Sequence, residues 1–289
     1  MKTDHYKEIN AEGNDSRIWV SIVIPCYNHE KYVQRTLNSI KEDTYLFKEI
    51  IIINDGSKDN SDARIKEWIS VHKDEINVSY ISRHNKGVCS TLNEMIELAK
   101  GKYILPLASD DCLFGDTIAA RVKMLEERPG KSVLLNDAYV IDGDDTIIMQ
   151  SSAADYWKAD KSRYYNDADI LKECIQGIKL GGPVLFYRKD IFSEIGKYPE
   201  ELSIEDWYFY QRAACLNRIV FIDRKVALYR VHGGNMSGVN TPHAVKLASH
   251  ILQVYKMNFN FYPGIKYKLL AIKGYIRVLA WYIKLRLKK

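Results

Sequence analysis

Apolar positions in the first half of the chain follow two alternating rhythms. Short runs rich in Ile and Val, such as Trp19 to Pro25 (WVSIVIP) and Phe47 to Asn54, are continuous enough for strands buried on both faces. Between them lie amphipathic stretches with helical spacing: Glu30 to Ile40, Asp59 to Val71 and Gly87 to Ala99. Further strands are expected at Val78 to Ser82, Lys102 to Leu107 and Val133 to Ile141, with a helix near Thr117–Glu127. This order predicts an α/β protein built on a mainly parallel sheet covered by helices. Asp55, Arg83 and the pair Asp110-Asp111 each fall just after a strand, at the edge where open α/β sheets bind ligands.

The second half is less regular. Asp142 to Asp169 is polar and rich in Tyr, and reads as a loop or lid. Gly181-Gly182-Pro183 precedes a short apolar run, Ile204 to Leu216 is helical, and Ile219 to Arg230 is a late strand ending at His232. Residues 243–289 read as helical, broken near Pro263-Gly264.

The chain has 289 residues, 46% of them hydrophobic and 27% charged, as in an ordinary folded protein. No run reaches 18 consecutive apolar residues, and Met1 to Arg17 lacks an apolar signal core. Five widely spaced cysteines without a CxxC pair favour neither a disulfide framework nor a zinc knuckle, and fit a reducing cytoplasm. The net charge of +5 hides an asymmetry. Residues 224–289 hold 13 Lys and Arg and no acid, while the preceding 223 carry 29 basic and 37 acidic residues, a net of −8. An acidic body excludes a general nucleic-acid binder, whose basic residues would line the folded face.

Common nucleotide motifs are missing. There is no GxGxxG, and Gly130-Lys131-Ser132 is not a P-loop because Leu125 stands where its first glycine is required. Four other constellations each admit two readings. Ser109-Asp110-Asp111 is either a solvated, helix-capping turn or a site where a hard divalent cation relieves two adjacent carboxylates. Asn54-Asp55-Gly56-Ser57 is a tight turn, or one in which Asp55 accepts hydrogen bonds from a ligand. Glu205-Asp206 either answers the dipole of the helix it opens or supplies a general base. His232, among glycines, is structural or a metal ligand.

Taken in order, these segments resemble the family-2 glycosyltransferases, inverting enzymes with the GT-A fold. Ile22 to Asn28 (IVIPCYN) is similar to the family's opening "VxIPxYN", and Glu49 to Asp59 (EIIIINDGSKD) to its "EIIxVDDGSxD". Arg83 to Gly87 resembles its "RxNxG" turn, and Ser109-Asp110-Asp111 falls where its DxD-type motif belongs. Glu205-Asp206 resembles the "ED" pair, and His232 with Ser237 the late "HxxxxS". Asn54 and Ala108 depart from the pattern, each standing where the family often has an acid.

The resemblance implies a GT-A fold, a single Rossmann-like mixed sheet flanked by helices, over residues 19–240. Residues 1–18 would form a tail, 19–112 a nucleotide-binding half and 113–240 an acceptor half. It also implies that Pro25, Tyr27, Asp55 and Arg83 line the nucleotide pocket, with Asp55 accepting from the uracil N–H and Asp110 beside the ribose and donor sugar. Asp111, helped by His232, would hold Mn²⁺ or Mg²⁺ on the diphosphate. Asp206 would be the catalytic base with Glu205 orienting a substrate, and Gly181, Gly182 and Pro183 would wall donor from acceptor. The implied activity moves a hexose or N-acetylhexosamine from a UDP-sugar to a polyprenyl-diphosphate-linked glycan in bacterial surface polysaccharide synthesis, such as O-antigen or capsule. A nucleotidyltransferase would share the sheet and the metal carboxylates but leaves Glu205-Asp206 without a task. A silent sugar-nucleotide-binding scaffold would not need them either.

Residues 241–289 form a separate basic extension. Leu269, Ile272, Ile276, Leu279, Ala280, Ile283 and Leu287 recur at helical spacing, with Lys273, Arg277, Lys284 and Lys288 on another face. Either this helix lies in an anionic membrane surface, placing the protein peripherally on the inner face of the plasma membrane, or it packs on the domain with a solvated basic side.

Overall fold

The computed structural model describes residues 19–233 and 244–287; the tail at residues 1–18 and Ser237 of the "HxxxxS" pattern lie outside the described residues. Continuous apolar runs become the inner strands. β1 (Val20–Cys26) and β2 (Lys48–Asp55) pair in parallel, and β2 presents four consecutive isoleucines to a core on both faces. β3 (Val78–Arg83), only half-buried, closes one edge beside β2. β4 (Tyr103–Pro106) pairs in parallel with the other side of β1. The helices between them are α1 (Val33–Glu42), α2 (Ser61–His72) and α3 (Val88–Leu98). The predicted elements of this half recur within one to three residues of their expected ends, because strands of this composition have no other face to offer.

The remaining strands join the same sheet. These are β5 (Cys112–Leu113), β6 (Val133–Ile141), β7 (Ile147–Met149), β8 (Leu185–Arg188) and β9 (Ile219–Arg230). The order is β3-β2-β1-β4-β8-β6-β9-β5, with β7 added beside β6. β8 runs antiparallel to both β4 and β6, and β9 runs parallel to β6. Two reversals restore direction, so β9 points the same way as β4. The turn after β4, with Asp110, and the turn after β9, with His232, therefore emerge on one edge of the sheet. Helices α4 (Ile118–Glu126), α5 (Asp167–Gln176), α6 (Ile191–Ile195) and α7 (Glu205–Cys215) complete the layers around it.

The polar segment read as a loop or lid is instead folded. It contains β7, a π-helical turn at Ser152–Tyr156, a 3₁₀ turn at Lys161–Tyr164 and the start of α5. The cause is Asp137, a fully buried carboxylate on β6. It accepts from Ser151 Oγ at 2.6 Å, Ser152 Oγ at 3.1 Å and Ala153 N at 3.1 Å, and pairs with Lys161 Nζ at 2.6 Å and with Lys225. A buried charge so satisfied ties the segment down. Individual polar residues in a sequence do not reveal such an anchor.

Two helices follow the sheet, α8 (Ala244–Asn258) and α9 (Gly264–Leu287), broken at the expected Pro263-Gly264. α9 has two apolar faces. Ala271 and Gly274 are buried, with Tyr267, Leu270, Tyr275 and Val278 against the core. Gly274 is required there, since a Cβ would fall 2.2 Å from the Tyr255 hydroxyl of α8. The predicted stripe lies on the other side, where Leu269, Ile272, Ile276 and Ile283 are exposed. No helix among the described residues is long and apolar enough to cross a membrane.

Candidate active site

The carboxyl edge of the sheet opens into a cleft of about 1190 Å³. Pro25, Tyr27, Asp55, Asp110, Asp111, Glu205, Asp206 and His232 all line it, as do Gly181 and Gly182. Residues up to 207 positions apart in the chain, from Pro25 to His232, thus share one cleft, most of them because the strands that precede them end at the same edge.

The floor is built from two interlocked turns. Asn28 adopts a left-handed conformation (φ 57°), which Asn tolerates better than most residues. Its Oδ1 accepts from Lys58 N at 2.7 Å, and its own N donates to Ser57 Oγ at 2.9 Å. Asn54, the departure from the family pattern, is a working substitute: its Oδ1 accepts from Ser57 N at 3.1 Å and its amide donates to Ser82 Oγ at 3.2 Å. Gly56, at φ 77°, passes so close to the next turn that a Cβ would lie 2.7 Å from Asn85 N.

Asp55 sits at the back of this floor. One carboxylate oxygen accepts from Arg83 and from Lys86 N at 2.9 Å, and the other from Gly87 N at 3.0 Å. A carboxylate has about four acceptor positions, so three donors leave Asp55, a cleft residue, able to accept one more hydrogen bond. Arg83 itself does not line the cleft, in contrast to the expectation. Its guanidinium is held by Asp55, by Glu94 at 3.1 Å and by Thr91 Oγ1 at 3.0 Å, and so supports the Asp55 carboxylate. Pro183 is likewise displaced from the wall. Its carbonyl accepts from the buried Arg121 at 3.0 Å, while Gly182 packs so tightly on Tyr229 that a Cβ would overlap the ring at 2.6 Å.

The two adjacent aspartates face different ways. Asp110 Oδ2 lies 3.0 Å from His232 Nε2 and 3.6 Å from His29 Nε2. Burial disfavours its charge, but the hydrogen bond from His232 and the charges of both imidazoles prevail and hold the carboxyl below its usual range. Asp111 turns inward, and its Oδ1 accepts from Arg230 N at 2.8 Å. Burial first, and then the charge of Asp110, drive its carboxyl well above the usual range. The expectation that Asp111 joins His232 thus meets a different geometry, in which Asp110 is the partner of His232. Arg230, buried under the Tyr32 ring, also donates from Nε to the Asp110 carbonyl at 2.7 Å and so sets the orientation of the whole turn.

His29 is the residue that sequence reasoning missed. It follows Asn28 in the turn after β1, and its ligand-capable nitrogen, with Asp110 and His232, forms a set whose atoms all lie within 4.8 Å of one another. Burial pushes its imidazole below the ordinary value. The available signal was position alone, a His in the first turn at the ligand-binding edge. Trp157, Tyr229 and Lys246 also line the cleft, brought there by packing that no motif encodes.

Glu205 and Asp206 open α7 and also line the cleft. Burial and the neighbouring Asp206 push Glu205 up to about 8. Burial also raises Asp206, against the pull of Trp207 N, which donates to its Oδ1 at 2.6 Å. Two such carboxyls side by side retain a proton near neutral pH, and the pair can accept one from a bound hydroxyl.

Residues 21–196 match the family model described as Glycosyl transferase family 2. An uncharacterized glycosyltransferase of Rickettsia typhi is 29% identical over 221 residues, which cover 74% of this chain and 64% of that protein. Other curated relatives are longer, and the match spans about a third of their length. Among solved structures, Staphylococcus aureus TarS 1–349 in complex with UDP-GlcNAc matches with a TM-score of 0.64 at 18% identity, over 91% of this chain and 72% of that one. The mannosyltransferase PcManGT of Pyrobaculum calidifontis, in complex with GDP-Man and Mn²⁺, matches with a TM-score of 0.65 at 14% identity, over 93% and 76%. At these identities the likeness establishes the fold, which is GT-A.

Proposed function

The chain belongs to glycosyl transferase family 2, and on that premise we propose that it transfers a hexose or N-acetylhexosamine from a UDP-sugar to a hydroxyl of a lipid-linked glycan, inverting the anomeric centre. The observation that carries this reading is the meeting of two kinds of carboxylate in one cleft: Asp55 and Asp110 from the end of β2 and the turn after β4, and Glu205 and Asp206 from the start of α7. Both solved neighbours hold a sugar nucleotide, which agrees with such a donor.

In this reading the free acceptor position of Asp55 Oδ2 takes the uracil N3–H, and the exposed Tyr27 ring flanks the base. Asp110 and His232 would hold a divalent cation, the role first expected of Asp111. Such an ion, when bound, neutralises charge on the departing diphosphate. Asp206 accepts the proton of the acceptor hydroxyl, and that oxygen attacks the anomeric carbon from the face opposite UDP. The bond from carbon to phosphate oxygen breaks with its electron pair staying on UDP, so an α-linked donor yields a β-linkage. Glu205, protonated at neutral pH, donates a hydrogen bond that orients a substrate hydroxyl. No covalent intermediate is needed. Nucleotide release from a panel of UDP- and GDP-sugars, with Mn²⁺ or Mg²⁺ and with chelator, tests this. UDP release from one UDP-hexose or UDP-N-acetylhexosamine, abolished by chelator, is the expected result. Release of GDP, or formation of pyrophosphate, would overturn it.

The acceptor is taken to be membrane-seated, as in the assembly of bacterial surface polysaccharides on polyprenyl diphosphate, and α9 supports this. Its outer face exposes Leu269, Ile272 and Ile276, with Lys266, Lys273 and Arg277 alongside, while its inner face is independently occupied. That pairing suits the headgroup boundary of an anionic bilayer. Deleting the helix would strip Tyr267, Leu270 and Ala271 from the core, so the cleaner probe is the triple variant Leu269→Ser, Ile272→Ser, Ile276→Ser. At about 1.5 kcal/mol or more per buried aliphatic side chain, its partition onto phosphatidylglycerol vesicles is expected to fall at least about 100-fold. Co-sedimentation measures it, with unchanged thermal unfolding as the control.

A further inference from the structure

His29 is not needed by the mechanism as stated, yet it is aimed at the same point as Asp110 and His232. Its side chain is about four-fifths buried. Nδ1 lies 2.7 Å from Ser109 Oγ, and the Ser109 carbonyl is in turn held by Thr36 Oγ1 at 3.0 Å. When the Ser109 hydroxyl oxygen accepts from Nδ1–H, Nε2 carries the free lone pair. That Nε2 is the atom facing Asp110 Oδ2. The arrangement is how a ligating histidine is ordinarily supported: one ring nitrogen toward the ion, the other held by a neighbouring acceptor. Three ligand atoms within 4.8 Å of one another, from the turns after β1, β4 and β9, leave the cleft side open for diphosphate oxygens.

We propose that His29 is a third protein ligand at the cation position, and that the resulting set of two imidazoles and one carboxylate makes the site select a first-row transition ion over Mg²⁺. Mg²⁺ binds oxygen ligands and keeps much of its water, whereas imidazole nitrogen favours transition ions in the order of their Lewis acidity. A site with Asp110 and one histidine would discriminate weakly. A second imidazole on the same ion removes another oxygen position that Mg²⁺ requires. The inference rests on the cation-dependent reading above.

The test uses the full-length protein with UDP and Mn²⁺ as a paramagnetic probe, comparing wild type with His29→Asn and Ser109→Ala. Wild type is expected to show ¹⁴N couplings from two imidazoles on bound Mn²⁺ and to need a large excess of Mg²⁺ for displacement. His29→Asn should show one coupled imidazole, at least about 10-fold weaker Mn²⁺ binding, and displacement by correspondingly less Mg²⁺. Ser109→Ala keeps both imidazoles but frees the His29 ring, so its Mn²⁺ affinity should fall to an intermediate value. Unchanged ¹⁴N couplings and an unchanged Mn²⁺-to-Mg²⁺ ratio in His29→Asn would overturn this inference alone. Failure of wild type to bind either ion in the presence of UDP would overturn the cation-dependent reading itself.

Discussion

Asp206→Asn is expected to lower sugar transfer by about 10²–10⁴-fold while sugar-nucleotide binding is retained, the loss typical of removing a positioned general base. The amide keeps the shape of the carboxylate and can still accept from Trp207 N, which now lies 2.6 Å from Asp206 Oδ1, so the start of α7 should stand unchanged. Only the ability to take a proton is removed. Turnover with saturating donor and acceptor, alongside donor calorimetry, measures the two effects separately; wild-type-like turnover would remove Asp206 from the role of base. The pH profile adds a second reading. Burial raises the Asp206 carboxyl, so wild-type turnover should fall as pH drops through that raised value, and the variant should lack this limb. Stability responds in the opposite sense. The folded protein binds the Asp206 proton more tightly than the unfolded chain, so this group's contribution is full below its unfolded value and is lost as pH rises through the folded one. Asn has no such loss, and the variant should unfold at no lower a temperature than wild type at neutral to alkaline pH. A melt that is intact with turnover gone therefore identifies chemistry rather than collapse.

Asp110→Asn should abolish Mn²⁺ binding and cost about 10²–10³ in transfer, the range for removing one preorganised group that stabilises developing charge. The Asp110 carboxylate lies between two imidazoles, and it is the sole negative group of that ligand set. Asn keeps its volume but leaves the two imidazoles without a counter-charge, so cation affinity drops even though the fold persists. The informative partner is Asp111→Asn. Its carboxyl is turned inward and accepts from Arg230 N at 2.8 Å, a hydrogen bond that the amide oxygen of Asn can also accept. Mn²⁺ binding should survive that change. Electron paramagnetic titration of both variants decides between the neighbours: loss in Asp111→Asn with retention in Asp110→Asn would return the ion to Asp111.

What was legible in the sequence, and what was not, divides along a physical line. Ile50 to Ile53 can satisfy four consecutive branched side chains only as a strand covered on both faces, so β2 and its neighbours followed from composition and order alone. The same order delivered Asp55, Asp110, Asp206 and His232 to one edge, and the family resemblance rests on that order. The segment after Asp142 was misread because one buried carboxylate, Asp137, organises it through partners on three separate stretches of chain. For Arg83 the motif records that a residue is present, whereas Asp55, Glu94 and Thr91 determine where its guanidinium goes.

The sequence by itself determined the parallel first half of the sheet, the edge where its turns gather, and the acids and the one imidazole, His232, expected there, while the antiparallel β8 made the whole sheet mixed. Only the tertiary structure decided that Asp110 faces His232 while Asp111 faces Arg230, and that His29 completes the set. Adjacent side chains in a turn point in different directions, and nothing local distinguishes Asp110 from Asp111. The choice is made by β9, about 120 residues later, whose parallel course beside β6 brings Arg230 N onto one carboxylate and His232 beside the other.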